Sequence, residues 1–160
     1  MPQTVFTIGH SNLSFMRFIS LIQAHNINHI VDIRSIPYSK RAPWSNKSRL
    51  AEILKPFHIQ YTYLGHKLGG KKQAIDQISK QQGVSPQEQY DHAIQLLLQL
   101  CLQDTIALLC AESDPANCHR QHIVAQTLLE SDVSVLHILK NGMLKEAWKE
   151  DESLNQPSLF

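Results

Sequence analysis

The chain has 160 residues, 15 Lys+Arg against 14 Asp+Glu, a formal net charge of +1 and 42% apolar residues. That length fits one domain with a sizeable core, and 18% charged residues are too few for a disordered chain. Three cysteines do not make a disulfide framework, and no apolar run reaches the roughly 18–20 residues of a membrane helix. Met1-Pro2-Gln3-Thr4 lacks the basic-then-apolar start of a secretory signal, so a cytoplasmic protein with no membrane partner is expected.

Val5-Phe6-Thr7-Ile8 is a short β-branched and aromatic run that stops at Gly9, which predicts a buried strand. Ser14 is a candidate N-cap for a helix with Phe15, Phe18, Ile19 and Ile22 on one face. His29 to Ile33 predicts a second strand, and Ser48 to Leu54 a short helix stopped by Pro56. Ile59 to Leu64 predicts a third strand, ended by Gly65. Ser85-Pro86-Gln87-Glu88 combines a cap, a proline at the first helical position and an acid three residues on. The helix it opens carries Tyr90, Ala93, Ile94, Leu97, Leu98 and Cys101 at helical spacing. Thr105 to Cys110 is the most apolar strand. Asn117 or Asp114 caps a helix with Ile123, Val124, Thr127 and Leu128 on one side, and Val133 to Ile138 closes the series as a fifth strand.

Strands alternating with helices imply parallel pairing through crossover helices. Strands that are apolar without alternation are covered on both faces. The expected fold is therefore an α/β domain over residues 1–140: an open, mainly parallel five-stranded sheet with helices on both faces. Residues 141–160 are expected to be an extension, part helical and part frayed.

Ligands of open parallel sheets bind beyond the carboxyl ends of the strands. The distinctive polar residues cluster there: Gly9-His10-Ser11, then Asp32-Ile33-Arg34-Ser35-Ile36-Pro37, then Gly65 and Gly69-Gly70, then Cys110-Ala111-Glu112 and Cys118-His119-Arg120. His10 is a candidate acid/base and Ser11 a substrate donor, or the two form a tight turn. Asp32 and Arg34 are two apart and share one face of the sheet. They form an internal ion pair, or Arg34 clamps an anion while Asp32 orients it. Glu112 at a strand end is expected to be partly desolvated and suited to proton transfer, or paired with Arg34 or Arg120. Cys118 at a helix start is a candidate thiolate or a structural cysteine. Ser35, His119 and Arg120 are candidate substrate contacts. Six residues beyond Cys110 stands Ala116, and beyond Cys118 stands Val124, so no Cys-x5-Arg phosphatase loop is present. Cys118 with His122, and Cys110 with His10, are the pairs considered for a metal. Without a paired Cys-x2-Cys signature no metal or cofactor is expected.

Thr7-Ile8-Gly9-His10-Ser11, Asp32 to Pro37, Cys110-Ala111-Glu112 and Cys118-His119-Arg120 occur in that order. Together they resemble the bacterial domain-of-unknown-function family 488, from about Thr4 to Ile138. The resemblance implies a compact cytoplasmic α/β domain with these motifs as its site. It implies no particular reaction.

Near-neutrality conceals two charged regions. Residues 33–72 sum to +8 and the rest to −7. Lys40, Arg41, Trp44 and Lys47 are therefore candidate nucleic-acid contacts, with Tyr38 and Trp44 as stacking platforms. The expected activity is hydrolysis or group transfer on a phosphate-bearing or otherwise anionic substrate, a nucleotide or nucleic acid. His10, Asp32, Glu112 and Cys118 would be the catalytic residues, and Ser11, Arg34, Ser35, His119 and Arg120 would bind substrate. The alternative is a non-catalytic nucleotide or nucleic-acid binding module that uses the basic segment.

Overall fold

A computed structural model describes residues 3–69, 83 and 85–150. Gly70, Lys71 and Lys72 of the basic segment, and the tail after Glu150, lie outside the described residues. Six strands form one sheet: β1 (Thr4–Gly9), β2 (His29–Asp32), β3 (Gln60–Tyr63), β4 (Ile106–Cys110), β5 (Ser134–Ile138) and β6 (Leu144–Glu146). Their order is β3-β2-β4-β1-β5-β6. The first five are mutually parallel, and β6 pairs antiparallel with β5.

The helices are α1 (Phe15–Ala24), α2 (Lys47–Leu54), α3 (Gly65–Leu68), α4 (Pro86–Gln103) and α5 (Gln126–Glu130). Ser14 and Ser85 cap α1 and α4 by accepting the Arg17 and Glu88 N–H groups. Even-numbered Ile8 and Ile30 join Leu109, α1 and α2 in one apolar cluster. Odd-numbered Val5 and Val31 join Leu108, Cys110 and α4 in the other. Strand alternation thus sorts the side chains into two layers, and the central strand β4 is buried throughout.

Two segments differ from the sequence reading. Residues 144–146 form an edge strand where a helix or frayed end was expected, and all three are exposed, so no apolar pattern marked them. The last crossover begins with π-helical turns over Arg120–Ala125 before the α-helical turns of α5. The wider turn rotates Ile123 outward to 46% exposure and Arg120 fully inward. Asp114, not Asn117, supplies the capping side chain, and it caps the short 3₁₀ turn Pro115–Asn117 through the Ala116 N–H at 2.9 Å.

Candidate functional site

The strand ends carry loops that lie flat on the sheet because two glycines admit them. A Cβ on Gly9 would stand 1.6 Å from the Glu112 carbonyl oxygen, and one on Gly65 would stand 1.7 Å from that of Arg34. The Tyr63 hydroxyl donates to the same Arg34 oxygen at 2.9 Å. Between the two loops opens a cleft of about 360 Å³, lined among others by Arg34, Ser35, Tyr38, Glu112, Cys118 and His119.

Cys118 is the focus of this cleft. Its sulfur, the Cys110 sulfur and a His119 ring nitrogen lie within 4.8 Å of one another. His119 Nδ1 stands 3.7 Å from Cys118 Sγ, while its Nε2 stands 3.2 Å from the Ile33 carbonyl oxygen. The carbonyl can only accept, so Nε2 carries a proton and Nδ1 faces the thiol. The Cys118 thiol is drawn down to about 4. A hydrogen bond from Cys110 is the largest cause, burial opposes it, and His119 and the Arg120 backbone N–H add to it. Burial pushes the Cys110 thiol well up, so the inner sulfur is the protonated donor and the outer one the thiolate. Arg120 supplies further positive charge. It is fully buried, donates from Nη2 to the Ser113 carbonyl at 2.8 Å, and forms no ion pair among the described residues. Among the described residues its Nε and Nη1 have no hydrogen-bond partner.

The opposite face of the sheet holds a separate polar cluster. Arg34 Nε and Nη2 donate to the two Asp32 oxygens at 2.9 and 2.7 Å. Its Nη1 and Nη2 donate to the Ser45 hydroxyl and carbonyl at 3.0 and 2.7 Å. The Tyr61 hydroxyl completes Asp32 at 2.6 Å. The internal ion pair is therefore the arrangement present, and only one Arg34 N–H is left for anything else. His10 is fully buried beside Trp44, with ring centroids 6.3 Å apart, and its Nδ1 stands 2.9 Å from the Ser11 carbonyl. Burial lowers its pKa, so it is neutral near pH 7, and its Nε2 has no hydrogen-bond partner among the described residues. Ser11 adopts a left-handed backbone with φ 43°, and Ser14, not Ser11, caps the following helix.

Of the expected site residues, Arg34, Ser35, Glu112, Cys118 and His119 line the cleft. His10, Ser11, Asp32 and Arg120 are not among its lining residues, and the first and third belong to the other face. Glu112 is exposed, so the expected desolvation of its carboxylate is absent. Trp44 is also not a free stacking platform. It packs on Phe15 and Phe18 and donates from Nε1 to the Leu13 carbonyl at 2.9 Å. Lys40, Arg41 and Lys47 are exposed, and the Lys47 ammonium lies 4.1 Å above the Tyr63 ring. His122 turns outward to Glu150 and Ala116, so it stands apart from Cys118, and among the described residues those with metal-ligand proximity are Cys110, Cys118 and His119. Three residues take roles the sequence did not suggest. Cys110 acts as a donor to Cys118, His119 as its neighbouring base, and Tyr38, 62% exposed, as a wall of the cleft. The eight-residue interval between the two cysteines gave no helical or strand register that would join them.

The fold and this cleft define an open α/β domain with a thiol-floored cleft at the carboxyl rim of its sheet. The chain belongs to the family described as "Domain of unknown function DUF488", whose model matches residues 14–127, more than two-thirds of the chain. The match is narrower than the resemblance over residues 4–138, and Gly9-His10-Ser11 falls outside it. No curated protein and no solved structure matches the chain.

Proposed function

We propose that the protein is a cysteine-dependent hydrolase or transferase acting on a phosphate-bearing or otherwise anionic substrate in the cleft. The observation that carries this reading is the convergence of Cys110, His119 and the Arg120 backbone N–H on the Cys118 sulfur. Cys118 attacks the electrophilic centre of the substrate as a thiolate. His119, held by Ile33, carries the Cys118 proton on Nδ1 and gives it to the leaving group. In the second half-reaction water or an acceptor attacks the covalent intermediate, His119 takes up the proton, and the Cys118 thiolate is released. Arg120 and the basic segment bias the cleft toward anions. Asp32 and His10 act as scaffold, because they hold Arg34 and the β1 loop on the far face.

The test is alkylation and turnover together. At pH 6, iodoacetamide labels Cys118 to one equivalent while Cys101 and Cys110 stay free. The same label, and Cys118→Ser, abolish turnover on a panel of phosphate esters and anionic acyl esters. Labelling of Cys118 no faster than Cys101, or turnover retained by Cys118→Ser, overturns the reading.

The second reading, nucleotide or nucleic-acid binding without catalysis, is favoured by the 62% exposure of Tyr38 close to Lys40 and Arg41. It requires affinity that falls steeply with salt and with neutralisation of Lys40, Arg41 and Lys47, and that survives Cys118→Ser.

A further inference from the structure

Cys110 has more capacity than a hydrogen-bond donor needs. It ends the central strand, is completely buried, and its sulfur lies within 4.8 Å of the one sulfur that opens on the cleft. A reagent entering the cleft meets Cys118 first and reaches Cys110 only through it. That ordering separates an attacking thiol from a resolving one. The third cysteine, Cys101, lies on α4 and contacts Gln3 and the Leu98 carbonyl, away from the pair.

We infer that Cys110 and Cys118 form a peroxide-responsive pair, in which oxidation at Cys118 is resolved by Cys110 into a reversible Cys110–Cys118 disulfide. This rests on the reading of Cys118 as the thiolate that floors the cleft. The steps balance with a hydroperoxide as oxidant. The Cys118 thiolate attacks the distal peroxide oxygen. An S–O bond forms, the O–O bond breaks, and the alkoxide or hydroxide leaves with the proton held on His119 Nδ1, which frees that nitrogen. The product is Cys118 sulfenic acid. Cys110 loses its proton to His119 Nδ1 and attacks the Cys118 sulfur. An S–S bond forms, the S–O bond breaks, and hydroxide leaves as water with that proton. Two thiols are oxidised by two electrons and one hydroperoxide is reduced to an alcohol and water. A dithiol reductant reverses the disulfide by exchange. The disulfide removes the nucleophile from the cleft while it lasts, and it stops Cys118 short of the irreversible sulfinic acid.

The experiment treats the reduced full-length chain with one equivalent of hydrogen peroxide and maps thiols by mass spectrometry. Expected is the loss of two thiols and two mass units, a peptide linking residues 110 and 118, free Cys101, and full recovery with dithiothreitol. Cys110→Ala should instead accumulate a dimedone-reactive sulfenic acid and then sulfinic acid at Cys118, at least tenfold faster than the wild type. Should that buried substitution unfold the chain, the linked peptide in the wild type decides alone. Conversion of wild-type Cys118 to sulfinic acid without a 110–118 peptide overturns the inference. Iodoacetamide labelling at pH 6 would be unchanged by that outcome, so the two readings fail separately.

Discussion

At the residue scale, the two polar clusters differ in what their charges face. The Asp32–Arg34 pair is closed, with four of the five guanidinium N–H groups used inside the protein. Removing one partner strands the other in a dry layer. Asp32→Asn is expected to cost about 3–5 kcal/mol in urea denaturation. Asp32→Asn combined with Arg34→Met should cost less than Asp32→Asn alone, since no buried charge is left over. If the single and double variants are equally destabilised, the pair does not hold the rim. His119 differs because it faces a thiol. Its replacement by alanine should move the pH midpoint of Cys118 alkylation upward without changing the plateau rate at high pH. The pair of residues two apart on one strand was legible in the sequence, because strand period alone places them together. The Cys118–His119 contact was not, since neighbouring residues meet only when the local backbone turns one ring back over the other. Their shared sulfur neighbour, Cys110, ends β4 eight residues before Cys118, and the intervening loop folds back to bring them together.

Also at this scale, buried His137 links three elements. Its ring nitrogens stand 2.6 Å from the Thr7 hydroxyl and 2.8 Å from the Gln121 side-chain oxygen. Burial lowers its pKa from 6.5 to about 4, and the positive Arg120 and Lys145 add to that. A group whose folded pKa is depressed contributes stability above its unfolded pKa and loses it as pH falls toward the folded one. The window is therefore pH 6.5 down to about 4. Across it, His137 should contribute a slope of at most about 1.4 kcal/mol per pH unit. His137→Asn should flatten the stability curve there by up to that amount while leaving the slope above pH 7 unchanged. An unaltered acid slope in that variant would show that His137 is not kept neutral by its surroundings.

At the scale of elements, the rim is shaped by backbone contacts that only glycine permits. Gly9→Ala forces the β1 end and the Glu112 peptide apart, because a Cβ cannot stand 1.6 Å from a carbonyl oxygen. The expected cost is about 1–3 kcal/mol in chemical denaturation, as for an overpacked core. The Glu112 side of the cleft should move with it, so the rate of Cys118 alkylation should change as well. A fully stable Gly9→Ala chain with wild-type labelling would show that the loop is free to shift. The five parallel strands, and helices α1, α2 and α4, were legible because each is apolar or amphipathic with a cap or breaker at its end. The sixth strand was not. Leu144-Lys145-Glu146 is exposed on an edge and is held by pairing with β5, not by its own composition. The last crossover was legible only in part. A helical wheel assumes α-helical turns, and the π-helical start over Arg120–Ala125 rotates Ile123 to solvent and Arg120 under β1.

At the scale of the whole molecule, charge is divided, not scarce. The segment 33–72 sums to +8 and contributes Tyr38 and Ser39 to the cleft wall, with exposed Lys40 and Arg41 directly after them. A basic rim over a partly enclosed cleft raises the local concentration of anions, an effect that salt screens over about 8–10 Å. Two alkylating agents of similar size but different charge can read this field at Cys118. Anionic iodoacetate should react faster relative to neutral iodoacetamide than it does with a free thiol, by about tenfold at low ionic strength. Raising the salt to about 1 M, where the screening length is about 3 Å, should remove that preference. So should joint neutralisation of Lys40, Arg41 and Lys47 by glutamine, because these side chains are exposed and their loss leaves the sulfur's own partners in place. A preference that survives both changes would place its source in buried Arg120, whose charge acts on the neighbouring Cys110. No preference at all would mean that the basic segment serves solubility and that the substrate of Cys118 need not be an anion.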